Sequence, residues 1–217
     1  MKKLVLYSDQ IPYISEKTDK ELVNLLDKSN PITGYIPSFA DPQRKYYKER
    51  QAYYSRLGMN LEVYFELDEE YHPDMLEILL SCDAIHLSGG NTYYFLYWLR
   101  TREMLLPLRQ YVSQGGVLIG VSAGSILMTP DISTSTLYGD EVIAGETDFS
   151  GLGLVDFAFV PHFGDIPINL DDLIKHSRDN QIVVYACRDS GGIVVTEDDV
   201  NCIGDVFKID EREEPPR

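Results

Sequence analysis

Short apolar runs alternate with amphipathic stretches through the first 130 residues, and the change of period between them separates strands from helices. The runs Lys3–Tyr7, Ile32–Ile36, Leu61–Phe65, Ala84–Leu87 and Val117–Val121 are too short for helices and predict five strands. Between them, helical spacing covers Asp19–Lys28, with Leu22, Val23, Leu25 and Leu26 on one side, and then Asp41–Leu57, Pro73–Leu80, Asn91–Arg100 and Leu105–Ser113. Asp41-Pro42 reads as an N-cap followed by a proline at the first helical position, and Gly58 as the stop. Strands that alternate with helices in this way predict an α/β fold, doubly wound, with a mostly parallel sheet and helices on both faces.

Beyond residue 130 the pattern loosens. Asp131–Gly153 is rich in Ser, Thr, Gly and acids and reads as loop with short irregular strands. Val155–Val160 is again an apolar strand, Leu170–His176 is helical, and Ile182–Ala186, Gly192–Val195 and Asn201–Ile203 read as short strands. Glu211–Arg217 carries charge and two prolines and is expected to fray. With no repeat or linker, residues 1–217 are expected to form one domain.

Composition narrows the function classes. The 44% apolar and 25% charged residues suit an ordinary globular chain. No apolar stretch approaches the roughly 20 residues of a membrane span. The run after Met1-Lys2-Lys3 is too brief for a signal-peptide core, so a cytoplasmic protein is expected. Cys82, Cys187 and Cys202 are scattered and read as reduced packing residues rather than a metal knuckle or redox pair. A net charge of −16 without a basic cluster disfavours nucleic acid and anionic membranes as partners.

The chemistry concentrates at Gly120-Val121-Ser122-Ala123-Gly124, where a buried strand turns abruptly into a helix. A serine in so tight a turn needs neighbours without Cβ at plus and minus two, and the helix start aims free N–H groups at the place where an oxyanion would form. Ser122 is therefore the candidate nucleophile. Of the four histidines, His72 reads as a capping or surface residue, His86 as a core residue inside its strand, and His176 as solvent-facing. His162 follows a strand at its carboxyl end, where doubly wound sheets gather their binding residues, and is the candidate general base. A carboxylate partner is expected in the intervening loop, where Asp131, Asp140, Glu141, Glu146 and Asp148 are equal candidates on spacing. Ser88-Gly89-Gly90-Asn91-Thr92 closes the fourth strand; Gly90 N–H and Ala123 N–H would form an oxyanion hole, and Asn91 would cap the next helix.

With Ser-Gly-Gly-Asn-Thr at 88–92, Gly-Val-Ser-Ala-Gly at 120–124 and Pro-His-Phe at 161–163, the chain resembles the peptidase E family of serine dipeptidases, relatives of cyanophycinase. The resemblance runs in order from the first strand to about residue 195. It implies a class I glutamine amidotransferase-like fold and cytoplasmic hydrolysis of a small peptide substrate, a dipeptide with N-terminal aspartate, without metal or cofactor. It also implies Ser122 as nucleophile, His162 as base and Gly90 and Ala123 as oxyanion donors. Aligning back from His162 puts the family's acid at Asp140, with Glu141 in reserve. The family's substrate-binding arginine has Arg178 as its nearest counterpart, beside Lys175 and His176, and Asn91 adjoins the same site. An esterase of the α/β-hydrolase type and a non-catalytic small-molecule binding protein are the alternative readings.

Overall fold

A computed structural model of the chain describes residues 1–68, 71–197 and 199–212. The five expected strands form as β1 (Lys3–Tyr7), β2 (Ile32–Ile36), β3 (Asn60–Tyr64), β4 (Ala84–Leu87) and β5 (Val117–Val121). They lie parallel in the order β3-β2-β4-β5-β1, and β8 (Gly192–Val195) and β9 (Val200–Ile203) extend the sheet antiparallel beyond β1. The period-2 alternation of strand side chains builds two cores. Leu4 and Leu6 of β1 point into the larger core with Ile85, Leu87 and Leu118. That core is covered by Leu79 of α3 (Leu76–Leu80), Phe95 and Leu99 of α4 (Thr92–Thr101) and Leu108 and Val112 of α5 (Leu105–Ser113). Val5 and Tyr7 face the other side, against Leu22 of α1 (Glu16–Leu26) and Tyr47, Tyr53 and Tyr54 of α2 (Lys45–Arg56).

The later strands depart from a single sheet. β6 (Phe157–Val160) and β7 (Val183–Cys187) pair in parallel, and β10 (Val206–Ile209) joins β7 antiparallel to make a second, three-stranded sheet. Phe157, Phe159, Val183 and Cys187 turn toward the larger core, while Ala158, Val160, Val184 and Ala186 pack on Leu173 of α7 (Leu170–Asn180). No strand was expected at Val206–Ile209, because its half-exposed residues lack the apolar run that marks a covered strand. Helix α7 also continues a full turn past His176.

Other expected boundaries move for local reasons. The Asp41 carboxylate does accept from N–H groups, those of Lys45 and Tyr46 at 2.9 Å each, but the helix starts only after Arg44, which holds φ at 51°. Pro73 opens a short 3-10 turn before α3. The loop 131–153 contains a 3-10 turn at Ser133–Tyr138 and a bridge between Asp131 and Ser150. Of the tail, residues 213–217 lie outside the described residues, whereas Glu211 is tied down: its N–H donates to Ser177 Oγ at 3.0 Å. Among the described residues no helix is long and apolar enough to cross a membrane.

The α1–α2 face encloses a carboxylate. Asp19 is 4% exposed, and it accepts from Tyr53 Oη at 2.7 Å and from Tyr7 Oη at 3.0 Å. Burial raises its carboxyl above the usual range, and the two phenols pull it back. Tyr53→Phe would leave a buried carboxylate short of a donor, so it should lower unfolding free energy by about 1–3 kcal/mol, measured by urea titration near neutral pH.

Candidate active site

The turn after β5 carries Ser122 in a conformation that L-residues rarely adopt, φ 50° and ψ −110°. Its N–H is held by Tyr7 O at 3.1 Å, and its carbonyl accepts from Ser125 and Ile126 as the four-residue helix α6 (Ala123–Ile126) begins. The flanking glycines are required. A Cβ on Gly120 would lie 2.5 Å from Ser125 N, and one on Gly124 would lie 2.2 Å from Leu87 O, both far inside van der Waals contact. Gly124 N–H in turn donates to Ser88 O at 3.1 Å, which fastens the turn to the end of β4.

His162 follows β6 as expected, and its Nε2 lies 2.8 Å from Ser122 Oγ. Its own backbone is left-handed, φ 57°, fixed by a hydrogen bond from its N–H to Ser8 Oγ at 2.7 Å. The partner of Nδ1 is Asp189, whose Oδ1 is 2.6 Å away. Asp189 follows β7, the parallel neighbour of β6, so imidazole and carboxylate emerge side by side from adjacent strand ends. The expected acid, Asp140, is elsewhere: its carboxylate accepts from Thr92 N–H at 2.8 Å, because this part of the loop 131–153 runs over the start of α4. The rule that singled out His162, a polar residue just past the carboxyl end of a strand, applies equally to Asp189 in Arg188-Asp189-Ser190-Gly191-Gly192. That signal was readable in the sequence.

Ser8, just past β1, joins these loops. It accepts from His162 N–H and donates to Cys187 O at 3.0 Å, with Asp189 Oδ1 at 3.2 Å. Tyr138 Oη donates to Pro161 O at 2.7 Å and its ring meets the His162 imidazole edge-on. The triad side chains remain partly open, at 20% exposure for His162 and 26% for Asp189.

Ser122 and His162 open on a cavity of about 380 Å³ built from the carboxyl ends of β2, β4 and β5 and one side of α2. Its walls include Ser38, Phe39, Gly89 and Gly90 near the serine, and Tyr35, Tyr46, Arg50 and His86 beyond. Gly90 has φ 136°, and a Cβ there would collide with Ser38 Oγ at 2.1 Å. Among the described residues, neither Gly90 N–H nor Ala123 N–H is taken by a backbone or side-chain acceptor. Two expected binding residues fall outside the cavity lining. Asn91 caps α4, its Oδ1 accepting from Tyr94 N–H at 2.8 Å, and Arg178 lies on the surface of α7 at 3.4 Å from Glu211. The arginine that does line the cavity is Arg50, from the helix that the spacing predicts over Asp41–Leu57. Among the described residues, no cluster of three or more His, Cys, Asp or Glu side chains is arranged to hold a metal ion.

The sequence model of Peptidase family S51 matches residues 8–203, and the chain belongs to that family. Among its relatives is a Peptidase E from Nostoc, 30% identical over 146 residues, which are 66% of this chain and 57% of that protein. A Peptidase E from Salmonella arizonae is 36% identical over 112 residues, 51% of this chain and 48% of the relative. The matched stretch thus spans about half the length of these curated relatives. Among solved structures, a putative peptidase E protein from Listeria monocytogenes superposes with a TM-score of 0.73 at 21% identity, covering 93% of this chain and 98% of the other. A peptidase from an acI-B1 Actinobacterium gives 0.69 at 18% identity, covering 97% and 91%. At these identities the structures support the α/β fold.

The contacts of the two carboxylates separate their roles by experiment. A serine-directed phosphonate should label Ser122. Asp189→Asn should slow labelling by about 10³–10⁴-fold, since an imidazole in the wrong tautomer is a poor base. Asp140→Asn should leave the rate nearly unchanged.

Proposed function

We propose that this protein is a serine exopeptidase that hydrolyses dipeptides or similarly small peptides through an acyl-enzyme. The carrying observation is the relay from Ser122 Oγ to His162 Nε2 at 2.8 Å and from His162 Nδ1 to Asp189 Oδ1 at 2.6 Å, in a chain of Peptidase family S51. In this reading His162 takes the Ser122 proton as Oγ attacks the scissile carbonyl, and the carbonyl π electrons move onto its oxygen. Gly90 N–H and Ala123 N–H stabilise that oxyanion. Collapse of the tetrahedral adduct breaks the C–N bond, and the His162 proton goes to the leaving amine. A water, deprotonated by the same imidazole, then hydrolyses the ester and restores Ser122. Asp189 keeps Nδ1 protonated and stabilises the imidazolium during both steps.

A cavity of about 380 Å³ has room for one or two residues, which favours the exopeptidase reading. An N-terminal aspartate is the substrate residue implied by the resemblance. Arg50 is the cation able to meet it, and Asp9, Asp41 and Glu49 on the same lining oppose it. The reading of a cytoplasmic enzyme rests on the short apolar run after Met1-Lys2-Lys3 and on the family resemblance.

Ser122→Ala should lower kcat/KM for the best dipeptide by on the order of 10⁴–10⁶-fold, measured by release of the free amino acid. Turnover of short acyl esters far above that of any dipeptide would favour an esterase instead. An undiminished peptidase rate in Ser122→Ala would overturn the proposal.

A further inference from the structure

His86 is buried in β4 at 1% exposure, yet its ring lines the Ser122 cavity. Its protonation is determined by a chain of hydrogen bonds that begins at Arg50. The guanidinium can only donate, and Nη1 donates to Gln10 O at 2.8 Å and to Gln10 Oε1 at 3.2 Å. That fixes the Gln10 amide, whose Nε2 then donates to Tyr54 Oη at 3.1 Å. Tyr54 is fully buried and among the described residues its hydroxyl meets no other acceptor, so it directs its proton to His86 Nδ1, 2.8 Å away. Nδ1 is therefore an acceptor, and the neutral ring carries its proton on Nε2. Burial and the nearby Arg50 charge also keep the ring neutral, holding it well below the usual histidine range. Tyr35 stacks on the imidazole at 4.9 Å between ring centroids and prevents it from turning.

Among the described residues Nε2 has no hydrogen-bond partner. It is also absent from the fully enclosed, unpartnered side-chain atoms, which belong to Thr18, Thr33, Trp98 and Ser135. The N–H therefore opens on the cavity. Cavity water can meet this donor, but a ligand that displaces the water must supply an acceptor in its place or leave a nearly buried N–H unpaired. We infer that His86 Nε2–H is a specificity determinant that binds an oxygen acceptor on the side chain of the substrate's N-terminal residue. The lining carries three carboxylates, Asp9, Asp41 and Glu49, against the one guanidinium of Arg50, so the acceptor favoured is an uncharged carboxamide, as in asparagine. The substrate part of this inference rests on the peptidase reading; the donor state of His86 does not.

The test uses the whole protein with ¹⁵N-labelled histidine. Nitrogen–proton correlation should show His86 protonated on Nε2 and not on Nδ1, with the signal assigned through His86→Gln. Free asparagine, the product-like ligand, should shift the Nε2–H resonance and bind about tenfold more tightly than leucine, its near-isostere without an acceptor. Tyr54→Phe, which removes the hydroxyl and keeps the ring, should mix the tautomers and abolish that preference. A ring protonated on Nδ1, or equal perturbation by leucine and asparagine, or no perturbation by either, would overturn the inference. Tighter binding of aspartate than of asparagine would overturn the carboxamide assignment. Because none of these readouts uses turnover, a protein that failed to hydrolyse any peptide would count against the proposed function alone.

Discussion

The site depends on one close crossing of backbone. Strand β5 turns into α6 so tightly that Gly124 Cα presses against the carbonyl of Leu87, and a Cβ there would sit 2.2 Å from that oxygen. This contact keeps Ser122 at φ 50°, a conformation the chain tolerates only where its surroundings over-determine it. Those surroundings are the Tyr7 carbonyl from β1, the Ser88 carbonyl from β4 and the first turn of α6. Three neighbouring elements thus convert local strain into a fixed direction for the Ser122 side chain.

Ser8 carries the same economy to the base and the acid. A single hydroxyl, delivered by the end of β1, receives His162 N–H and donates to the Cys187 carbonyl beside Asp189. The second sheet places His162 and Asp189 on adjacent parallel strands, and Ser8 registers that sheet against the first. Because β1 also sits beside β5, one strand end positions both the N–H of the nucleophile and the backbone of the base. Displacing it would disturb all three triad members together. Beyond them, α2 brings Arg50 and Tyr54 over the face of β4 that carries His86, so the cavity's polar character is set by a helix remote from the triad in sequence.

The five parallel strands and the covering helices were legible because each strand is a compact apolar run and each helix an amphipathic one. Ser122 and His162 were legible for a related reason: the elbow leaves glycines at fixed offsets, and the base follows an apolar strand directly. Strand β10 was not legible, since a half-exposed edge strand has no continuous apolar run. Asp140 was implied by the resemblance, aligned back from His162, but chain order says little about which carboxylate a folded loop delivers. Its carboxylate went to Thr92 N–H, where an open helix start offers a donor.

By itself, then, the sequence determined what local stereochemistry can encode: the alternation of strands and helices, the glycine-flanked serine, and the base at a strand end. Partnership between distant side chains was decided only by tertiary structure. Asp189 rather than Asp140 meets His162, Arg50 rather than Arg178 lines the cavity, and a histidine read as core exposes one nitrogen to it. The physical reason is that a hydrogen bond acts over about 3 Å, a range that only the packing of two sheets and a helix can bring within reach of residues far apart in the chain.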